Sequence, residues 1–160
     1  MLREYQTILQ KNIDSQYKAS VDMSTGMGVI KDYSNKEVGF PSAETADGIF
    51  LVTKERIAKG IKAGMELSDY DEEYTSVKED EFVKLVTYQT GEAFGTDQYD
   101  KTGLAVGDVV SVGTDGKWKK ATATTVKSKY VFTGEVVDGG NTLARIEVID
   151  TPKANAASDD

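Results

Sequence analysis

The sequence contains no cysteine and no histidine. The lack of cysteine excludes disulfides, thiolate zinc sites and thiol nucleophiles. The lack of histidine excludes Ser–His–Asp triads and the side chain whose ordinary pKa lies closest to neutrality. Most routes to catalysis near neutral pH are closed to such a chain. Composition therefore favours a binding or structural protein over an enzyme, and we predict no cofactor and no catalytic residue.

Long apolar runs and an excess of basic residues are also absent. The longest apolar run, residues 49–52, is far shorter than the ~20 residues that a transmembrane helix needs. Residues 1–6 are polar and include an acid, unlike a secretory signal. The net charge is −8, with 27 acidic and 19 basic residues, which is opposite in sign to a surface that binds nucleic acid. We expect a soluble protein, made in the cytosol, that binds neither nucleic acid nor membrane.

The sequence does contain a series of short β-rich runs separated by turns. Its 160 residues suit one domain, and 15 of them are glycine. The β-rich runs lie at residues 29–30, 37–40, 49–53, 82–88, 108–112, 118–121, 130–137 and 143–149. The Asp-Gly pair at 115–116 predicts a hairpin, and residues 138–141 are a further turn signal. Ala144, Ile146 and Val148 alternate as on a half-buried strand. The pattern predicts a mainly β fold, either a small β-barrel or a sandwich.

Residues 1–20 have a different pattern, because they contain neither glycine nor proline and their apolar positions follow helical spacing. Leu2, Tyr5, Leu9, Ile13 and Tyr17 are three or four residues apart. The segment is predicted to be either a short helix packed on its own domain or an N-terminal arm that docks onto another subunit. The β domain would then span residues 21–150.

Two further segments stand apart from this β domain. Residues 66–81 contain eight acids and one lysine, a local charge of −7, and we expect a solvated insertion because unpaired carboxylates are costly to bury. Asp69, Asp71 and Glu73 resemble the start of a calcium loop, but Tyr74 and Asp80 occupy the positions where that loop needs glycine and glutamate. We therefore predict no metal site. Residues 151–160 lack large apolar side chains and are predicted to be a disordered tail.

Two other patterns resemble binding sites. Gly26 and Gly28 would begin a dinucleotide fingerprint, but Lys31 stands where the next glycine belongs. Trp118 is flanked by lysines and is either a basic aromatic patch or a hairpin tryptophan at the edge of the core. The acidic character of the chain favours the second interpretation.

Two segments resemble head decoration (capsid cement) proteins of tailed bacteriophages. In the first, residues 40–52, a small-residue loop of the A-x-T-A-x-G type at 43–48 leads into an apolar strand. In the second, residues 104–121, a G-D-x-V strand at 107–110 is followed by a D-G-K turn at 115–117. Residues 134–137 and the final alternating strand are similar to the end of such domains.

This resemblance implies a non-enzymatic structural protein of the virion. Such proteins bind the outer surface of an expanded capsid and clamp neighbouring subunits of the major capsid protein. They often form trimers, have a small β-barrel or β-tulip core, and join the coat lattice through an N-terminal arm. The protein would reside in the host cytoplasm before assembly. On this hypothesis capsid contact is made by the apolar positions of the arm, Leu2, Tyr5, Leu9, Ile13 and Tyr17. The alternatives are a phage tail or head-fibre subunit and a β-barrel module that binds carbohydrate or peptide.

Overall fold

The fold is mainly β, as a computed structural model that describes residues 1–6, 12–54, 75–122 and 126–155 shows. Its strands are β1 (Leu2–Gln6), β2 (Asn12–Ala19), β3 (Met23–Ser24), β4 (Gly28–Asp32), β5 (Glu37–Gly39), β6 (Phe50–Thr53), β7 (Ser76–Val77), β8 (Phe82–Thr87), β9 (Ala93–Thr96), β10 (Val110–Val112), β11 (Trp118–Lys120), β12 (Ser128–Asp138) and β13 (Asn141–Lys153). Within these described ranges no helix is long and apolar enough to cross a membrane.

Five strands close into a barrel in the order β2-β5-β4-β6-β8. The pairs are antiparallel, except that β2 and β5 are parallel. Val29, Val38, Val52, Val83 and Leu85 are fully buried and pack together. Branched side chains of this kind favour strands and fill a narrow interior. The structure thus decides between the two predicted architectures in favour of a barrel.

A four-stranded antiparallel sheet, in the order β1-β9-β13-β12, forms the second part of the domain. Its core contains the alternating residues Ala144, Ile146 and Val148, all buried as the sequence pattern predicts. The same core includes Leu51 from β6 of the barrel, whose neighbour Val52 belongs to the barrel interior. The apolar run at 49–53 is therefore buried on both faces, because it separates the two cores.

Most predicted β-rich runs are strands in the structure. Of the two alternatives for residues 1–20, the short helix is wrong for the described residues 2–6 and 12–19, which are strands. Residues 2–6 form β1, which pairs with β9, and residues 12–19 form β2, which pairs with β5 and β8. Both strands contain bulges, between Glu4 and Gln6 and between Asp14 and Tyr17. Each bulge shifts the phase of the side chains, so three- and four-residue spacing arises here without a helix. The described parts of the segment, residues 1–6 and 12–20, belong to the β domain and do not form a separate arm.

The predicted tail is ordered at its beginning. Residues up to Lys153 continue β13, and Asn155 is buried. Its carboxamide accepts a hydrogen bond from the Val109 nitrogen at 2.7 Å and donates to the carbonyls of Val109 and Ala121 at 3.0 and 2.9 Å. A disordered tail from residue 151 is therefore wrong for 151–155. Residues 156–160 lie outside the described ranges.

The acidic stretch is described only from residue 75 onward. Glu79, Asp80 and Glu81 are exposed, in agreement with the expected solvation of the charges. Lys78 lies 3.2 Å from the Asp22 carboxylate, so this part of the stretch is held by an ion pair to the loop after β2. Residues 66–74, with most of the acids, lie outside the described residues.

Candidate functional site at the mouth of the barrel

Lys31 lies at one end of the barrel, where its ammonium group is held by groups from neighbouring strands. It follows Val29 by two positions on β4, so its side chain points toward the same interior face. The side chain is only 8% exposed, and its Nζ lies 2.5 Å from Asp14 Oδ2 on β2. The same Nζ lies 4.5 Å from the ring centroid of Tyr17 and 4.2 Å from that of Phe50.

This arrangement explains how a lysine is tolerated almost inside a barrel. A buried ammonium needs a counter-charge, which Asp14 supplies, and aromatic faces within ~6 Å attract a cation further. The hydrogen bond from Lys31 lowers the pKa of the Asp14 carboxyl below its ordinary value and outweighs the opposing effect of desolvation. The lowered pKa keeps Asp14 ionised at neutral pH, so its negative charge faces the Lys31 side chain.

An open groove of about 640 Å³ surrounds the ion pair. We call it the mouth groove; its lining consists of polar side chains and apolar side chains, namely Asp14, Gln16, Lys31 and Thr87 with Ile13, Tyr17, Phe50 and Leu85. Its volume falls within the ~300–1,000 Å³ range of small-molecule sites. The groove is the strongest candidate for a binding site in the described part of the chain.

Two exposed apolar side chains flank the mouth groove. Ile13 is 54% exposed and Tyr33, in the turn after β4, is 72% exposed. The Tyr33 ring meets Tyr17 edge-on, with centroids 6.2 Å apart and planes at 87°. Asp32 shapes this turn by accepting hydrogen bonds from the Ser34 and Asn35 nitrogens. Tyr33 is thus presented to solvent by a structured turn.

The five residues predicted for capsid contact do not share one face. Ile13 and Tyr17 lie at the mouth groove, whereas Leu2 and Tyr5 lie on β1 of the four-stranded sheet. Leu2 is half-buried against the core shared by barrel and sheet, and Tyr17 packs partly into the barrel interior. Leu9 lies outside the described residues.

Sequence reasoning missed Lys31, Asp14 and Tyr33. The only local signal is the two-residue spacing of Val29, Lys31 and Tyr33, which places a lysine on the buried face of a predicted strand. That signal does not reveal a partner, since Asp14 comes from a different strand and reaches Lys31 only through barrel closure.

The two segments that carry the family resemblance meet at a second polar cluster. Glu44, in the loop before β6, accepts a hydrogen bond from Ser111 Oγ at 2.5 Å and from the Thr122 nitrogen and hydroxyl. Lys119 Nζ lies 3.6 Å away. Burial raises the pKa of the Glu44 carboxyl, but the hydrogen bonds from Ser111 and Thr122 outweigh it and the net pKa is lowered. These contacts hold the loop before β6 against β10 and β11, so we assign the cluster a structural role.

Trp118 is not at the edge of the core, as predicted, but at its centre. Its side chain is fully buried, and its ring lies 5.5 Å from that of Phe94 and 4.8 Å from that of Tyr130. The indole nitrogen donates to the Gly26 carbonyl at 3.0 Å. The neighbouring lysines point away from it along β11, so no basic aromatic patch forms.

Tyr88 is a buried phenol that lies near two glutamates, Glu4 and the buried Glu92. Desolvation raises the pKa of its hydroxyl well above the ordinary value, and the charges of Glu4 and Glu92 raise it further. The phenol is therefore protonated at any physiological pH and is no nucleophile or base. Within the described ranges, acidic side chains also form no cluster of three or more that could hold a metal ion.

Comparison with known proteins adds no relative to this description. No protein-family profile, curated protein or solved structure matches the chain.

Proposed function

We propose that the chain is a structural protein of a phage virion that binds the outer surface of the capsid and stabilises the coat lattice. The observation that supports this proposal is the contact between the two segments that resemble decoration proteins. Thr45 and Val112 exchange backbone hydrogen bonds of 3.1 and 2.8 Å, and the Phe40 ring lies directly against Gly116. If the two resemblances were due to chance, there would be no reason to expect the two segments to pack against each other.

The partner in this proposal is the major capsid protein, with the chain acting as a homo-oligomer, for which a trimer is favoured. Of the five residues predicted to contact the capsid, Tyr5 and Ile13 remain the main candidates, because their side chains are 36% and 54% exposed. Leu2 and Tyr17 drop out as principal contacts because their side chains are largely engaged in the protein's own cores. A net charge of −8 suits a protein that must stay dispersed before it binds a lattice.

Quantitative mass spectrometry of purified virions of the source phage tests the role directly. We expect a copy number comparable to that of the major capsid protein. A copy number far below it favours the alternative of a tail or head-fibre subunit. Absence from the virion contradicts both structural roles.

Point variants locate the contact surface, since deletion of residues 2–20 would remove two paired strands and unfold the domain. Ile13→Ser and Tyr5→Ser each remove an exposed apolar side chain, and Val137→Ser on β12 is a matched control, because Val137 is 72% exposed. Binding to purified capsids that lack the protein is the measurement. We expect at least one of the first two variants to bind about tenfold more weakly, the effect of ~1.4 kcal/mol at an interface, and the control to bind as wild type. Equal binding by all three variants contradicts the assignment of these residues.

A further inference from the structure

We propose that the mouth groove binds a neutral saccharide. This proposal does not rest on the proposed virion role, although Ile13 lines the groove and is also a proposed capsid contact. It follows from the free polar groups of the groove, its aromatic and aliphatic walls, and its balanced charge.

The first observation is that two polar side chains of the groove lack a partner. Neither the Gln16 carboxamide nor the Thr87 hydroxyl makes a hydrogen bond in the described part of the chain, whereas Asp14 and Lys31 bind each other. A carboxamide has two donors and an acceptor, and a hydroxyl donates and accepts. Both groups can therefore donate to and accept from the hydroxyl groups of a sugar.

The second observation is that apolar walls lie beside these polar groups. Ile13 and Tyr17 line the groove, and the exposed Tyr33 ring stands edge-on beside Tyr17. The C–H face of a pyranose needs such a surface, while its hydroxyl edge needs hydrogen-bonding groups. Tyrosine offers a large amphipathic contact at low entropic cost, because it has only two side-chain torsions.

The third observation concerns charge, and it decides the class of sugar. Among the described residues, the charged groups that line the groove are Asp14 and Lys31, which form an ion pair of 2.5 Å. An anionic or cationic ligand would have to separate this pair or remain uncompensated beside it. Lys31 uses one of its three donors on Asp14, so the pair can still orient a neutral hydroxyl group.

The test is an NMR titration of the full-length ¹⁵N-labelled protein with neutral mono- and disaccharides, acidic sugars and short peptides. We expect at least one neutral saccharide to cause saturable shifts at the amides of Lys31 and Thr87. Shifts elsewhere only, the absence of saturation with any neutral sugar, or preferential binding of an acidic sugar or a peptide overturns the proposal.

Matched variants separate binding from folding. Thr87→Val keeps the shape and strand preference of the side chain, and Gln16→Ala removes an exposed amide; each should raise the Kd about fivefold, the effect of ~1 kcal/mol for one lost hydrogen bond. Tyr33→Ser, in an exposed turn, should weaken binding without affecting the barrel. Thr142→Val and Gln89→Ala, exposed positions outside the groove, should change nothing. Unchanged affinity in Thr87→Val, Gln16→Ala and Tyr33→Ser overturns the proposal even if a sugar binds.

Discussion

The interior of the barrel and the core under the four-stranded sheet differ in chemistry. The barrel core consists of aliphatic side chains, mostly valines, with Ala19, Met23 and Leu85. The aromatic rings that pack against it, such as Tyr17 and Phe50 at the mouth, are only partly buried. The sheet core is built on rings, with Trp118 and Phe94 at its centre. Five strands enclose a narrow lumen that suits branched aliphatic side chains, whereas the space between barrel and sheet must be spanned by larger groups.

The difference teaches where the stability of the fold is concentrated. In the barrel, many similar contacts between neighbouring strands each contribute a little. In the sheet core, Trp118 joins β11 to β9 and β12 through its ring contacts and to Gly26 through its indole nitrogen. We therefore expect substitutions to have a graded effect in the barrel and a concentrated effect around Trp118.

Trp118→Ala should cause the largest loss. Removal of the ring leaves a cavity and an unpaired Gly26 carbonyl, and we expect the free energy of unfolding to fall by about 3–5 kcal/mol. Val52→Ala in the barrel removes two methyl groups and should cost about 2 kcal/mol. Urea denaturation measures both. If Val52→Ala costs as much as Trp118→Ala, the contrast between the two cores does not hold.

Gly26→Ala tests the point where the two regions meet. The Gly26 nitrogen donates to Val52 of the barrel, and its carbonyl accepts from Thr96 of the sheet as well as from Trp118. Its φ is +90°, and an added Cβ would lie 2.7 Å from the Met1 carbonyl oxygen. We expect a loss of about 3 kcal/mol from backbone strain and the clash together.

Gly48→Ala is the control for this position. Gly48 also has a positive φ, +67°, but an added Cβ meets nothing within 4 Å. Only the backbone strain of about 1 kcal/mol should appear in thermal or urea unfolding. Equal losses for the two glycines would show that the close approach at the junction contributes nothing.

Asn155→Ala should have an intermediate effect on the sheet side. The substitution leaves the Val109 nitrogen and the Ala121 carbonyl without their buried partner, whereas the Val109 carbonyl keeps its bond from the Ala121 nitrogen. We expect a loss of about 2 kcal/mol, measured by urea denaturation and by faster hydrogen exchange at the Val109 amide. Asn141→Ala, at the exposed tip of the β12–β13 hairpin, should cost less than ~0.5 kcal/mol. If the loss of stability in Asn155→Ala is no larger than in the control, the hydrogen bonds of Asn155 do not stabilise this part of the fold.

The smallest effect on stability should come from protonation of Asp14, in the mouth groove, at low pH. Because the pKa of Asp14 is lowered in the folded state, its contribution to stability is present above the ordinary value of 3.8 and is lost as the pH falls through the folded pKa. An NMR titration should show this pKa rising toward the ordinary value in Lys31→Met. The near-ultraviolet circular dichroism of the Trp118 core should not change. An Asp14 pKa that is the same in wild type and variant contradicts the ion pair as its cause.

The helix predicted at the N-terminus shows why local patterns mislead. Residues 1–20 lack glycine and proline and have three- and four-residue apolar spacing, but propensity is a weak preference that pairing in a sheet readily overrides. β2 pairs with β8, from a distant part of the chain, and a bulge places Ile13 toward solvent and Tyr17 toward the interior. No local rule predicts that phase change.

β9 was not among the predicted strands, because its own sequence gives only a weak strand signal. Its residues Ala93, Phe94, Gly95 and Thr96 include a glycine, which weakens any strand pattern. The structure requires that glycine, because the Tyr5 ring of β1 lies directly over it and an added Cβ would come within 2.5 Å of the ring. The reason for a glycine at this position therefore lies in β1, and the sequence of β9 alone does not reveal it.

The sequence by itself determined the mainly β class, the hairpin at the Asp-Gly turn of residues 115–116 and the alternation in β13. These features depend on neighbours in the chain, and local propensity and periodicity record them. Only the tertiary structure decided the closure of the barrel, the position of Trp118 at the centre of the core and the groove around Lys31. Each of these requires side chains from strands far apart in the chain, and their meeting is set by strand order and register, which local spacing does not encode.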